Sequence, residues 1–188
     1  MIENHPLLIA FWPRLSLGRF RQAADQGHAT AQCSLGFMFT EGKGVTQNHV
    51  TAAGWYLKAA EQGRAGAQCR LGFAYYSGEG MPQNHAKAAG WFRKAADQGR
   101  ADAQYNLGFT YATGKGVPMD HAAAVGLFLK ATDQGYAEAQ CSLGLMYANS
   151  EGMPQDFSEA LRWLNLAAAQ GSEQAKEGIK RVMQVARL

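Results

Sequence analysis

The sequence predicts an all-α solenoid, and three observations indicate this fold class. Near-identical stretches recur every 36 residues, starting at Ala29, Ala65, Ala101 and Ala137. Each copy spaces its apolar residues as one stripe of a helix does. Three of the four copies close on K-A-[AT]-x-Q-G, and the fourth closes on L-A-A-A-Q-G, so each ends in a helical stretch followed by glycine. A fixed period of this size is typical of stacked units that bury their apolar faces on one another.

The first half of each repeat predicts one helix. Ala31, Leu35 and Phe39 lie four residues apart, and the later copies keep this spacing. A glycine stands in the middle of each predicted helix, where it costs about 1 kcal/mol relative to alanine. These glycines are Gly36, Gly72, Gly108 and Gly144. Their recurrence predicts a neighbouring helix that approaches too closely for a Cβ atom.

The second half of each repeat predicts a turn and a second helix. The turns read EGKGV, SGEGM, TGKGV and NSEGM, and their glycines are expected to adopt positive φ. An N-cap residue follows each turn, namely Asn48, Asn84, Asp120 and Asp156. The second helices are expected to end at Gly63, Gly99, Gly135 and Gly171.

Half repeats flank the four complete ones. The predicted organisation is an N-terminal segment with a leading half repeat at 1–28, four repeats at 29–172, and a C-terminal capping helix at 173–188. In the capping helix, one apolar stripe should dock on the fourth repeat; it comprises Ile179, Val182, Met183 and Ala186. The apolar N-terminal residues are expected to cover the open edge of the solenoid or to form a homodimer through it; they are Leu7, Leu8, Ile9, Phe11 and Trp12.

Composition excludes several classes of protein. The chain has 188 residues and a net charge of +3, without the concentrated basic face typical of nucleic-acid binding. No apolar run approaches the roughly 20 residues of a membrane span. The N-terminus lacks the basic start of a signal peptide. Three cysteines, an odd number without an export signal, favour the reducing cytoplasm.

The pattern A-x-A-Q-x-x-L-G-x-x-[YF]-x-x-G-x-G-[VM], followed by W and K-A-A-x-x-G, resembles Sel1-like repeats, which are related to tetratricopeptide repeats. This resemblance covers roughly residues 14–186. It implies a right-handed α/α superhelix with the first helices along a concave groove. It also implies an adaptor that holds partner proteins together. Some cysteine-rich relatives have two bridged cysteines per repeat and are linked to penicillin binding, whereas this chain has at most one per repeat.

Shared chemistry among the repeated polar residues is not expected. Cys33, Cys69 and Cys141 stand one or two repeats apart, too far for a disulfide or a common zinc ion. A row of histidines follows the N-caps, at His49, His85 and His121. The G-K-G turns could suggest phosphate binding, but two of the four equivalent turns carry glutamate. We therefore predict no catalytic residue, no metal and no cofactor.

Geometry like that of tetratricopeptide repeats would place an apolar column on the groove face. We predict groove residues at Cys33, Phe37, Cys69, Phe73, Tyr76, Tyr105, Phe109, Cys141 and Leu145. Polar side chains beside them would set the register of a bound segment: Arg70, Asn106, Asp102 and Glu138. Contiguous exposed apolar surface usually marks a binding site. The alternative is that tight curvature buries these residues against one another.

The sequence therefore predicts a non-catalytic adaptor that binds a peptide or protein segment in its groove. Two other functions stay open. One is a hydrolase of β-lactams or cell-wall material, suggested only by the cysteine-rich relatives. The other is a structural module that associates with itself through the N-terminal edge. Neither nucleic acid nor a membrane is an expected partner.

Overall fold

The computed structural model describes the backbone of residues 15–186 and the side chains of residues 17–186. Ten α-helices occupy this part of the chain: α1 (Leu15–Asp25), α2 (Ala29–Glu41), α3 (His49–Glu61), α4 (Ala65–Ser77), α5 (His85–Ala96), α6 (Ala101–Thr113), α7 (His121–Thr132), α8 (Ala137–Asn149), α9 (Phe157–Ala169) and α10 (Glu173–Ala186). The all-α repeat prediction is confirmed. The N-terminal residues expected to cover the open edge, Leu7 to Trp12, lie outside the described residues.

The second helix of each repeat begins at a side chain that caps it. Asn48 Oδ1 accepts a hydrogen bond from the backbone N–H of Thr51 at 2.9 Å. Asn84, Asp120 and Asp156 accept equivalent bonds at the starts of α5, α7 and α9. Each bond satisfies an amide that has no partner inside the helix. The predicted N-caps are therefore confirmed in all four repeats.

The two glycine positions of the G-x-G turns differ in how strictly they require glycine. Gly114 follows α6 with a φ of 66°, and its N–H donates to the Thr110 carbonyl. The same position in the fourth repeat is Ser150, with a φ of 61°, so a side chain fits there. At Gly116, φ is 83° and a Cβ atom would lie 2.2 Å from the carbonyl carbon of His85. The second glycine therefore allows the turn to lie directly on the start of the preceding second helix.

The glycines inside the first helices allow close helix packing. A Cβ atom at Gly36 would lie 2.6 Å from the Tyr56 ring, and one at Gly108 would lie 2.7 Å from the Phe128 ring. Gly144 meets a buried leucine of α9 in the same way. Contacts below 3.0 Å leave no room for a methyl group. The close approach predicted from these glycines is confirmed at these three positions.

Glutamines of the A-x-A-Q and Q-G motifs link neighbouring helices. Buried Gln104 donates from Nε2 to the Ala96 carbonyl at the end of α5. Its Oε1 accepts from Gln134 Nε2 at 2.9 Å, and Gln134 Nε2 also lies 2.9 Å from the Gly99 carbonyl oxygen. Gln140 and Gln170 repeat the arrangement. The amides thus satisfy carbonyls at helix ends, a role that the motif alone did not indicate.

The chain divides into two compact units, Met1–Gln83 and Asn84–Leu188. In the first unit, α1 to α4 pack each on the next, with a core that includes Ala24, Ala31 and Leu35. In the second unit, α5 to α10 pack in the same sequential way, around cores that contain Phe128 and Leu164. None of the helices within residues 15–186 has the length and apolarity needed to cross a bilayer.

The last helix packs on α9 and α8 through part of its predicted stripe. Val182 is only 4% exposed and belongs to the core that contains Leu164. Ile179 packs partly against that core, whereas Met183 is 44% exposed. The stripe prediction is therefore wrong for Met183. Gly178 faces Leu164 instead, because a Cβ atom there would lie 3.0 Å from a Leu164 methyl group.

Candidate functional site

The first unit presents two aromatic rings on successive first helices. Phe37 on α2 is half-buried, and Phe73 on α4 is 50% exposed. Tyr76, one turn after Phe73, is half-buried. Burying a ring such as Phe73 against a partner would remove a large apolar area from water. Phe73 is therefore the best-exposed aromatic anchor among those predicted.

Two cations lie over the Phe37 ring. Lys43 Nζ lies 4.7 Å from the ring centroid, and the guanidinium carbon of Arg70 lies 5.9 Å from it. Lys43 comes from the G-K-G turn after α2, and Arg70 comes from α4. Both side chains are exposed. Within residues 17–186, neither has a carboxylate partner at ion-pair distance. The apolar ring thus has a positively charged rim.

The sequence did not indicate the position of Lys43. In the sequence, its G-K-G turn suggests only a phosphate loop, and the glutamates in equivalent turns argue against that role. The available signal was that Lys43 stands six residues after Phe37, where the turn brings the chain back past the helix end. Arg70 lies in the predicted groove set and contacts the same ring.

In the second unit, the predicted anchors are packed more deeply. Tyr105 lies 5.7 Å, centroid to centroid, from buried Phe128 and 5.4 Å from Tyr136. Phe109 lies 6.4 Å from Tyr105 and is half-buried. These rings form one aromatic cluster. Tyr105 therefore contributes to packing, which is the alternative considered for the column, and Tyr105 and Phe109 are both half-buried.

Two of the three predicted polar residues of the second unit have hydrogen-bond partners within the chain. Asp102 receives two hydrogen bonds from Arg100, at 2.9 and 2.7 Å, and one from the Ala103 amide. Asn106 Nδ2 donates to the Asp102 carbonyl at 2.7 Å. Glu138 in the next repeat is exposed. Asp102 would have to exchange partners to hold a ligand, whereas Glu138 is accessible as it stands.

Leu145, the counterpart of the three phenylalanines in the fourth repeat, lines a pocket of about 310 Å³. The pocket lies between α8 and α10, and Ala148, Val182 and Val185 share its wall with Arg181. Val185 is 69% exposed. Asn149 and Gln155 also line it, so this end of the second unit has a hollow of mixed apolar and polar character beside one cation.

The structure corrects the expectation for two of the cysteines. Cys69 and Cys141 are 6% and 2% exposed, so they cannot line an accessible face. Cys33 is half-buried, and all three thiols are free. Burial raises the pKa of the Cys141 thiol, although a hydrogen bond with Ser172 lowers it in part. A buried thiol that stays protonated is a poor nucleophile and a poor metal ligand.

The histidine row also belongs to packing. His49 Nδ1 lies 4.0 Å from a carboxylate oxygen of Glu79, and His121 Nδ1 lies at the same distance from Glu151. Each pair connects a second helix to the turn of the following repeat. In the described part of the chain, no three His, Cys, Asp or Glu side chains converge as metal ligands would. His49 and His121 therefore lie at the start of a second helix, beside the turn of the following repeat that packs on it.

Comparison with known proteins places these features in a family. The Sel1 repeat model matches residues 20–28, 29–63, 65–99, 101–136 and 137–172. A protective antigen of uropathogenic Escherichia coli, described as displaying an SLR fold, is 39% identical, with a TM-score of 0.80 over 85% of this chain and 34% of that chain. A Sel1 repeat protein from Oxalobacter formigenes is 30% identical, with a TM-score of 0.75 over 88% of this chain and 73% of that chain.

The two likenesses differ in how much of the other protein they cover. This chain spans about a third of the length of the E. coli antigen and nearly three quarters of the Oxalobacter protein. None of the curated protein sequences compared with the chain matches it.

Proposed function

Because the chain belongs to the Sel1 repeat family, we propose that it is a non-catalytic scaffold that binds a segment of a partner protein. Sel1 repeat proteins are typically protein-interaction scaffolds. Each unit offers a binding face on the outer surfaces of its own first helices, with Phe37 and Phe73 in the first unit and Phe109 and Leu145 in the second. The observation that carries this proposal is that Phe73 is 50% exposed.

Physical chemistry supports this face over the others. An aromatic ring left half in water gains free energy when a partner covers it, and such residues often dominate the affinity of an interface. The unit that carries Phe73 also carries Phe37 with Lys43 and Arg70 over its ring, so this unit supplies both apolar and charged groups. The exposed apolar residues of the second helices, such as Val50 and Leu129, are aliphatic.

The proposal is tested by selecting random peptides displayed on phage against the purified chain. A Phe73→Ala, Phe109→Ala double variant should bind the selected peptides at least about tenfold more weakly than the wild type does. The matched control is Val50→Ala, Leu129→Ala, which truncates exposed apolar residues on second helices. Circular dichroism checks that both variants keep their helix content.

Two outcomes contradict the proposal. One is that no peptide is enriched on the wild type. The other is that the selected peptides bind the double phenylalanine variant as tightly as the wild type, or lose equal affinity with the control variant. Either result would mean that the outer surfaces of the first helices do not form the binding face.

The non-catalytic part of the proposal has its own test. The cysteine-rich relatives suggested β-lactam hydrolysis, but burial of Cys69 and Cys141 and the raised pKa of Cys141 argue against a reactive thiol at those positions. We expect no hydrolysis of the chromogenic β-lactam nitrocefin above the rate in buffer. Turnover that disappears in a Cys33→Ser variant would contradict this expectation and assign the activity to the half-buried thiol.

A further inference from the structure

We propose that Lys43, Phe37 and Arg70 form a subsite for an acidic side chain of the bound segment. This inference rests on the proposed function and names the chemistry of the partner: an Asp or Glu flanked by an aromatic or aliphatic residue. The acidic side chain would sit between the two cations, and its apolar neighbour would cover Phe37 or Phe73.

The geometry of the three residues favours an anion. Lys43 Nζ and the Arg70 guanidinium carbon lie 4.7 and 5.9 Å from the centroid of one ring. Both are exposed, and the described residues supply neither with a carboxylate. A guanidinium can donate two parallel hydrogen bonds to a carboxylate, and an ammonium adds a mobile donor. The Phe37 ring beneath them is an apolar surface. A peptide can contact it with the apolar part of its chain, whereas a free anion cannot.

This combination occurs once among the four repeats. The counterparts of Lys43 are Glu79, Lys115 and Glu151, and the counterparts of Arg70 are Asn106, Ser142 and Gly178. The counterparts of Phe37 are Phe73, Phe109 and Leu145. Only the first repeat combines a ring with both cations. The pair is therefore a local departure from the repeat pattern, as expected when a site is added to a repeated scaffold.

The surrounding charges favour a protein segment over a polyanion. Glu79 occupies the equivalent turn of the next repeat in the same unit and is exposed. A nucleic acid strand, with a charge on every nucleotide, would gain from continuous cations and lose at Glu79. An extended peptide that crosses Phe37 and Phe73 presents one carboxylate to Lys43 and Arg70 from within the segment. The subsite thus suits an isolated acidic residue.

The experiment uses peptides whose C-termini are joined to the phage coat protein, so that any selected carboxylate is a side chain. We expect peptides enriched on the wild type to carry an Asp or Glu next to an aromatic or aliphatic residue. The tightest one is then synthesised with its acid intact and with the matching amide. The Lys43→Glu, Arg70→Glu variant should bind the acidic peptide at least about tenfold more weakly, with little change for the amide peptide.

The matched control is Lys58→Glu, Lys94→Glu. It changes the net charge by the same amount and also removes two cations from aromatic rings, Trp55 and Trp91 on second helices. We expect this control to bind the acidic peptide within about twofold of the wild type at moderate salt, because salt screens exposed charges that do not contact the peptide.

The outcomes separate this inference from the proposed function. Enrichment of peptides without an acidic residue, bound through Phe73 and Phe109 but not through Lys43 and Arg70, overturns the subsite and leaves the scaffold proposal standing. Equal weakening by the control variant also overturns it. A mixed-sequence oligonucleotide that binds the wild type and is lost on the double charge reversal assigns the cations to nucleic acid instead. Failure to enrich any peptide contradicts the scaffold proposal itself.

Discussion

Two neighbouring positions of the first helices, those of Gly36 and Phe37, differ in how much their residues and surroundings vary among the four repeats. All four repeats have glycine at the position of Gly36. At Gly36, Gly108 and Gly144, a buried side chain of the second helix lies against this glycine. The next position, that of Phe37, stays apolar, but its charged neighbours change from Lys43 to Glu79 to Lys115 to Glu151. The inner position is fixed by steric contact, whereas the surroundings of the outer position vary. The outer face is therefore where one repeat can differ from another without loss of the fold.

The largest expected change in the free energy of unfolding is at Gly116, a turn glycine that lies against the backbone of His85. Gly116→Ala would place a Cβ atom 2.2 Å from the backbone of His85, at a φ of 83°. The left-handed conformation and the backbone clash together should lower the free energy of unfolding by about 3 kcal/mol or more. Urea denaturation followed by circular dichroism measures the change.

The control lies two residues earlier in the same turn. Gly114→Ser introduces the residue that the fourth repeat already has at this position, Ser150, with a φ of 61°. It should lower the free energy of unfolding by only about 1 kcal/mol, the usual penalty for a left-handed residue. If the two substitutions have equal effects, close contact between turn and helix is not what fixes the second glycine.

The second prediction compares a glycine in a helix contact with a glycine on a helix surface. Gly108→Ala adds a Cβ atom 2.7 Å from the ring of Phe128, which is 1% exposed and cannot move away. We expect the free energy of unfolding to fall by about 1–2 kcal/mol, even though alanine is the better helix former. Thermal and urea unfolding both measure it.

Gly126→Ala is the matched control, because Gly126 also lies inside a helix of the second unit. Apart from its chain neighbours and the backbone of its own helix, no described atom lies within 4 Å of its missing Cβ, and the residue is exposed. Here the substitution should raise the free energy of unfolding by about 0.5–1 kcal/mol. The same chemical change is thus expected to have opposite signs at the two sites. Stabilisation at Gly108 would show that its contact with Phe128 is loose.

The repeat pattern made the inner positions predictable. Helix starts at Asn48 and Asp120 and the close approach at Gly108 follow from residue types at fixed spacing, since caps and steric contacts act locally. Exposure of the outer face was harder to predict. Phe73 and Tyr105 occupy related positions of the same motif, yet one is half exposed and the other packs against Phe128 and Tyr136.

The contacts that sequence reasoning missed join side chains of different repeats. Gln104 and Gln134 meet across 30 positions of the chain, and Lys43 and Arg70 meet at Phe37 from a turn and a helix of different repeats. A period fixes which residues are equivalent, but it does not give the side-chain directions that bring such residues together. These contacts therefore required the structure.

The third prediction concerns Tyr56, whose ring lies against Gly36 while its hydroxyl lies 3.3 Å from Thr40 Oγ1. The equivalent residues in the next two repeats are Phe92 and Phe128. Tyr56→Phe should therefore change the free energy of unfolding at neutral pH by about 1 kcal/mol or less, the net value of one hydrogen bond. A larger loss would mean that the hydroxyl, and not only the ring, holds this helix contact.

The same substitution should change the response to alkali. Burial raises the pKa of Tyr56 above its ordinary value of 10.0, although Thr40 and Arg70 lower it in part. The unfolded chain therefore releases this proton at a lower pH than the folded chain does. Stability from the neutral hydroxyl is present below pH 10.0 and is lost as the pH rises toward the folded pKa. Wild type should lose stability above pH 10 more steeply than Tyr56→Phe, and parallel curves would contradict the assignment.

The smallest expected effect is on the outer face. Lys43→Glu introduces the residue found at the same position in the second and fourth repeats, Glu79 and Glu151. Lys43 is exposed and its described side-chain contact is with the Phe37 ring, a contact worth about 0.5–1 kcal/mol at exposed sites. The free energy of unfolding should therefore fall by less than about 1 kcal/mol, as measured in the same urea series. A loss of about 2 kcal/mol or more would show that Lys43 supports the fold. A small loss, together with weaker binding of acidic peptides, would show that this face carries recognition while the glycine contacts beneath it carry stability.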